Sequence, residues 1–320
     1  MRKYRKDIVT NLLKLTSINI ASGQEEKFYD WICGQFTDYK FKKDHLGNVW
    51  KIKKSRKKRK YRILLSAHVD EVCMIVDYID KNIIYAKMVG RINKENLKDQ
   101  EVEIETKRSL IDGRISEIGE NYVMIYLHSQ KELSLVEEGN RVFFKQKYKE
   151  LDNNLLRSKA LDNRIGVYII LNLMKVDFDN IEMTYLYSAK EEIGLCGAEG
   201  KNINSRYDLA IVIDTTYGTR EGKIRVGNGA VIAIGPILDS RFTQKIKEVA
   251  IKNHIKHQYE IEPRKTGTEA WAYNKKGIRT VLFSVAIENM HSANEIASIE
   301  DISNTIILLK KFLKKIDNSP

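Results

Sequence analysis

The stretch Ile63-Leu64-Leu65-Ser66-Ala67-His68-Val69-Asp70-Glu71 decides how this chain is read. Its first five residues are short-chain or apolar, and the run stops at a histidine and two acids. A run of this length without in-out alternation is a strand buried on both faces, in a parallel or mixed sheet. The pattern returns three times. Met183–Ser188 leads to Lys190-Glu191-Glu192, Leu209–Ile213 leads to Asp214, and Thr280–Val285 precedes Glu288–His291. Helical patterns occupy Arg164–Met174, Arg241–Ile255 and Ile302–Ile316. Strands alternating with helices specify an α/β layered fold with a mixed sheet.

In open α/β sheets, sites form outside the carboxyl ends of the strands. Those ends hold His68 and Asp70, Glu191 and Glu192, Asp214, and His291 in Met-His-Ser, while Asp162 in Ala-Leu-Asp-Asn-Arg sits just ahead of a helix. Imidazoles mixed with carboxylates suit zinc, cobalt or manganese better than calcium. Taken singly, each residue has an ordinary reading. A histidine after a strand is commonly structural, Glu191-Glu192 could be a solvated face, and Asp162 could cap a helix. The ordered set is the specific signal.

The flanking segments complete the organisation. The first ~20 residues form a helix whose inner face includes Ile8, Leu12, Leu13 and Ile18. Ser22 with Glu25 forms a capping box opening a second helix through about Phe36. Short strands follow at Phe41–Lys43, Val49–Lys53 and Tyr61–Ala67. From about 74 to 156 the pattern changes to short alternating strands broken by Asp112-Gly113, Gly119-Glu120-Asn121 and Gly139-Asn140. That is an inserted β-rich, barrel-like block. The division is therefore 1–72 with 157–320 as the α/β domain, and 73–156 as the insertion.

The net charge of +12 raises the question of a polyanionic partner. Residues 51–62, KIKKSRKKRKYR, hold nine Lys/Arg and no acid, so the rest of the chain contributes only three charges. The run reads as a solvated hairpin turn, flanked only by Trp50 and Tyr61. Nucleic-acid binders spread basic residues over a face with aromatics among them, so nucleic acid is not an expected partner. Three cysteines (Cys33, Cys73, Cys196), with no CxxC spacing, read as small hydrophobes in a reduced, cytoplasmic protein. The basic N-terminus lacks the apolar core of a signal peptide, and no window is apolar enough to span a membrane.

The motifs Ala67-His68-Val69-Asp70-Glu71, Ala160-Leu161-Asp162-Asn163-Arg164, Glu191-Glu192-Ile193-Gly194-Leu195-x-Gly197-Ala198, Asp214-x-Thr216, Gly267-Thr268-Glu269-Ala270 and Met290-His291-Ser292 stand in the order of a known family. The chain resembles the dinuclear metallo-aminopeptidases typified by glutamyl aminopeptidase and the tetrahedral aminopeptidases, some of which carry an endoglucanase label. The resemblance covers residues 1 to about 315. It implies two divalent ions, zinc foremost with cobalt or manganese as alternatives. His68, Glu192, Asp214 and His291 would be terminal ligands, and Asp162 would bridge the ions. Glu191 would serve as general base and then acid, and Asp70 would orient His68. It also implies peptide substrates, dimerisation through the insertion, and a possible assembly of twelve subunits into a tetrahedron.

Aminoacylase-type and carboxypeptidase-type enzymes use a similar residue set but carry their extra domain between the later acid and the last histidine. Here the gap from His68 to Asp162 spans 94 positions, and the segment from Asp214 to His291 reads as ordinary α/β units. An aminoacylase or carboxypeptidase, a glycan hydrolase and a non-enzymatic scaffold remain as alternatives. A glycan hydrolase is physically weak, because glycosidases use a carboxylate pair without such a metal set. Two departures bear on substrate preference. Glu269 stands where the family has Asp, and Ile287-Glu288-Asn289 where it carries an Arg-Tyr pair. A longer carboxylate at 269 is expected to move a substrate-pocket contact.

Overall fold

The structure is a computed structural model describing residues 2–201, 206–219 and 221–319. Helix α1 (Arg2–Thr16) buries Ile8, Leu12 and Leu15 on one face. Leu13, expected on that face, is 42% exposed; it lies about 100° round the helix from Leu12. Helix α2 (Glu26–Gln35) buries Phe28 and Ile32. The expected capping box does not form, because the Ser22 hydroxyl donates instead to Asp70. Glu25 accepts from the backbone N–H groups of Gly23 and Lys190.

After β1 (Lys42–Lys43), β2 (Val49–Lys53) and β3 (Tyr61–His68), the chain leaves the main sheet. β4 (Cys73–Asp80), β5 (Ile83–Val89), β6 (Glu101–Glu105), β7 (Leu110–Ile118), β8 (Tyr122–Leu127) and β9 (Arg141–Phe144) close a barrel in the order β4-β5-β8-β7-β6-β9. Alternation fills it: Val123, Ile125 and Leu127 of β8 point into the barrel core while Tyr122 and Tyr126 face out. Within 73–156, β10 (Lys149–Glu150) and β11 (Leu155–Ser158) belong to the large sheet rather than the barrel.

The remainder runs α3 (Leu161–Met174), β12 (Ile181–Ser188), α4 (Cys196–Gly200), β13 (Leu209–Tyr217), β14 (Ala230–Ile234), α5 (Ser240–Lys252), β15 (His257–Ile261), α6 (Glu269–Lys275), β16 (Thr280–Glu288), β17 (Glu295–Ser298) and α7 (Ile299–Asp317). The large mixed sheet has the order β1-β2-β12-β3-β13-β16-β17-β11-β10, and β14 bridges β16 to β15. Its four central strands β12, β3, β13 and β16 are parallel. Alternate residues feed two cores. Ile63, Leu65 and Ala67 pack with α1, α3 and α7 on one side, and Leu64 packs toward α4 and α6 on the other. This two-sided burial is why these strands are apolar throughout.

The basic stretch is not a hairpin turn. β12 lies between β2 and β3, so residues 54–60 cross over its end. There they meet acids from the connection into β12 and from the start of that strand. Lys53 and Arg56 pair with Asp177, Lys57 with Asp179, and Arg59 and Arg62 with Glu182. Cys73 is buried, but Cys33 and Cys196 are half-exposed, and all three thiols are free. Among the described residues, no helix is long and apolar enough to cross a membrane.

Candidate active site

The parallel central strands present their carboxyl ends at one edge, and every candidate arrives there from the end of an element. His68 ends β3, Asp214 lies near the end of β13, and Glu191-Glu192 follow β12 by three and four residues. His291 lies three residues past β16, and Asp162 heads α3. The turn holding Glu191-Glu192 is closed by a close approach: a Cβ on Gly197 would sit 2.1 Å from the Ala189 carbonyl oxygen. Only glycine permits that contact. Asp162 is not a helix cap. Its backbone is non-helical, the cap position falls to Ala160, and its carboxylate faces two histidines.

Asp162 is the centre of the arrangement. Its Oδ1 lies 3.3 Å from His68 Nε2, and its Oδ2 lies 3.2 Å from His291 Nε2. Asp214 Oδ1 lies 3.6 Å from the same His68 nitrogen. Glu192 Oε2 lies 3.4 Å from the same His291 nitrogen. Each half therefore contains one imidazole, one terminal carboxylate and one oxygen of Asp162. Across the halves, His68, Asp162 and Glu192 bring one ligand atom each within 4.8 Å of one another. On its far side, His68 Nδ1 meets the Asp70 carbonyl oxygen at 3.1 Å, which places the ring proton on Nδ1. The Asp70 carboxylate is fully buried. It accepts from Ser22 Oγ at 2.6 Å and from the backbone N–H groups of Glu191 and Glu192 at 3.0 and 3.2 Å. One side chain thus ties β3 to the turn carrying both glutamates.

The electrostatics fit a cation. With Nδ1 protonated, His68 turns a lone pair toward two carboxylates, an acceptor facing acceptors unless a proton or metal lies between. Burial pushes Glu191, Glu192 and Asp214 above the ordinary carboxylate range, and neighbouring acids add to it. Burial also works against charge on Asp162, but His291 and His68 hold it below that range. On His68, burial is outweighed by Glu191 and the surrounding carboxylates, so its pKa rises. Such a cluster retains protons where a divalent ion would displace them. His291 Nδ1, buried with no hydrogen-bond partner among the described residues, is the loose end of this donor set. The set of two imidazoles and three carboxylates suits zinc, cobalt or manganese. Glu191 differs from Glu192, since among the described residues no histidine or basic group lies within ion-pair distance of its carboxylate.

The sequence reading missed Glu295. Its side chain is buried and accepts from the backbone N–H of His291 at 2.7 Å and of Asp162 at 3.1 Å, and burial with Asp162 nearby pushes it up to about 8. It fixes two of the clustered side chains through their backbones. The available signal was an acid four positions after His291. Glu71, Lys159 and Arg164 form a buried ion group just behind. Two of them stood in quoted motifs without a role. Arg164 also donates to the carbonyls of Leu15, Ile18 and Val69, joining the end of α1 to the segment after β3.

The site opens into a cavity of 390 Å³ lined by His68, Asp162, Glu191, Glu192, Asp214 and His291 together with residues of the strands beyond. Asp70 lies behind it. The expectation for Glu269 is corrected: it does not line the cavity, whereas Gly267 and Thr268 do. Glu269 points into the layer under the sheet, where Ser66 donates to it at 2.7 Å and Tyr273 reaches the same hydroxyl at 2.8 Å. Met290 reaches the cavity, but Glu288 and Asn289 do not.

Comparison with known proteins identifies the fold and the family. The chain is 28% identical to a putative aminopeptidase of Acetivibrio thermocellus, over 95% of this chain and 98% of that one. It is 27% identical to the lysyl aminopeptidase of Pyrococcus furiosus, over 80% and 82%. The fold matches the Pyrococcus horikoshii TET1 peptidase, which assembles into a tetrahedron or a large octahedral shell, with a TM-score of 0.82 at 23% identity, covering 95% of this chain and 98% of that one. The sequence model of the M42 glutamyl aminopeptidase family matches residues 47–308. The match spans both the barrel and the clustered site, and the chain belongs to the M42 glutamyl aminopeptidase family.

Proposed function

We propose that the chain is an aminopeptidase that removes N-terminal residues from peptides at a site for two divalent metal ions. The observation carrying this reading is Asp162, with one oxygen beside the His68 nitrogen that Asp214 also approaches and the other beside the His291 nitrogen that Glu192 also approaches. His68 and Asp214 would hold one ion, Glu192 and His291 the other, and Asp162 both. Bound there, the ions would supply Lewis acidity and lower the pKa of a water toward neutrality.

The rest of the chemistry belongs to the protein. Glu191 takes a proton from the attacking water and passes it to the leaving amine nitrogen as the C–N bond breaks. Burial raises its pKa, which suits a carboxylate that must both accept and return a proton near neutral pH. Asp70 holds the turn carrying Glu191, and its carbonyl sets the tautomer of His68.

The same proposal takes residues 1–72 and 157–320 as the catalytic unit and, within the insertion at 73–156, the barrel of β4 to β9 as the part used for dimerisation. Tyr78, Tyr122 and Tyr126 stand exposed on the barrel exterior, with Tyr78 stacked on Tyr85 at 4.4 Å, an aromatic surface suited to burial between subunits. Further assembly like that of the TET1 peptidase, and a reducing cytoplasmic setting for the three free thiols, belong to the same reading. The test is chelated protein reconstituted with zinc, cobalt or manganese and assayed on aminoacyl p-nitroanilides and N-acyl amino acids. Metal-restored hydrolysis of the free-amino substrates alone is the expected result. Preference for N-acyl substrates would reassign the enzyme to the aminoacylase class.

A further inference from the structure

Beyond the clustered ligands, the cavity wall is acidic for a reason that ligation and proton transfer do not use. Glu260 lies in β15 and Glu262 directly follows it, its N–H donating to the Ile234 carbonyl of β14, so the strand pairing continues and the two residues, two apart, face the same side. Both line the cavity. Glu260 is held in place by two strands of the same sheet that β15 does not pair with: Thr216 Oγ1 of β13 donates to its Oε1, and Ser284 Oγ of β16 approaches its Oε2 at 3.4 Å. Ser284 is the register partner of Asp214, so the hydroxyl fixing Glu260 is level with a clustered carboxylate. Among the described residues, no basic side chain lies within ion-pair distance of Glu260 or Glu262. Arg91, exposed, is the one arginine or lysine in the lining. The cavity lining also holds an unused group: Thr215 is 6% exposed, and its hydroxyl has no hydrogen-bond partner among the described residues. Burial pushes Glu260 upward and Glu262 adds to it, a cost that an incoming cation relieves.

We propose that Glu260 and Glu262 receive the cationic side chain of the substrate's first residue, making the enzyme selective for N-terminal lysine and arginine. This rests on the aminopeptidase reading above. A fixed carboxylate paired with a second one two residues on gives an ammonium or guanidinium charge-assisted hydrogen bonds in a partly desolvated site. A glutamyl side chain there would meet like charge.

The metal-loaded enzyme, assayed on lysyl, arginyl, leucyl and glutamyl p-nitroanilides, tests this. The expected kcat/KM for lysyl and arginyl substrates exceeds that for leucyl by about tenfold and for glutamyl by about a hundredfold. In Glu260→Gln and in Glu262→Gln the lysyl-to-leucyl ratio should fall about tenfold. Glu262 is the more exposed site, so its variant serves if Glu260→Gln folds poorly. Lysinamide should also inhibit the wild type more strongly than leucinamide, and equally in the double variant. A wild type that favours leucyl or glutamyl substrate overturns the proposal. So do variants that lose lysyl and leucyl activity alike, which would place the α-amino group against these acids. Turnover without basic preference defeats this inference alone, whereas hydrolysis of none of the four defeats the aminopeptidase reading with it.

Discussion

β3 carries a dense charge cluster at each end, and the two ends behave in opposite ways. Before Tyr61 the basic run is crowded in sequence but dispersed in space. Arg56 and Lys57 keep 64% and 70% of their side chains in solvent, and acids from another connection stand beside them. After Ala67 the charges are sparse in sequence and crowded in space. His68 keeps 2% exposure, and Asp162, Asp214, Glu191 and Glu192 converge on it from positions up to 146 residues later. Water screens the first cluster, so the pairs there contribute little to stability. Desolvation makes the second set one another's protonation state. Charge density along a sequence therefore says little about where charge does chemistry; the direction in which strands end says more.

The largest expected effect lies at the buried end. Glu191→Gln keeps shape and removes proton transfer, so turnover should fall about 10²–10⁴-fold while metal content by elemental analysis stays at the wild-type level. His68→Ala or Asp162→Asn should lose metal instead. Normal turnover in the first variant, or full occupancy in the others, would break the division of labour between Glu191 and the clustered set.

The next effect tests burial one layer below. Among the described residues no lysine or arginine lies within ion-pair distance of Glu269, and burial pushes it up to about 7 despite the Ser66 hydroxyl that donates to it. Its folded pKa thus exceeds its unfolded value of about 4.3. The folded state binds the proton more tightly, so this contribution to stability is complete below about pH 4.3 and disappears as pH rises through about 7. The difference is about 4 kcal/mol between those limits. Urea unfolding at pH 5 and pH 8 should show wild type losing stability that Glu269→Gln keeps. Equal pH dependence in the two proteins would mean that Glu269 is solvated or paired.

The central sheet was legible because strands buried on both faces must be apolar throughout, and the site because each run stopped at a ligand-type residue. What escaped was non-local. Nothing in residues 49–68 announces that β12, more than a hundred residues later, separates β2 from β3. The Ser22–Glu25 spacing fits a capping box, but a buried Asp70 took the serine hydroxyl. Glu295 works through backbone N–H groups, and Glu260 through hydroxyls of two other strands, contacts that no local spacing encodes. Leu13 was misplaced for a simpler reason: it lies about 100° round the helix from Leu12, and α1 packs against the core along one face only.

The smallest effect belongs to the exposed end of β3 and is informative for being small. Replacing Lys57, Lys58, Arg59 and Lys60 by glutamine removes a third of the formal net charge of +12 but no buried partner. The exposed pairs to Asp179 and Glu182 are screened, so the urea-unfolding midpoint should stay nearly unchanged. The loop sits one strand length, about 25 Å, from His68, beyond the roughly 8 Å screening distance of physiological salt, so kcat/KM on a neutral substrate should hold within about twofold. Wild type and variant should both bind single-stranded nucleic acid negligibly at low salt, because Asp177, Asp179 and Glu182 already occupy much of the basic surface. Tight, salt-sensitive binding by the wild type, lost in the variant, would give the exposed cluster a task of its own and remove the contrast between the two ends.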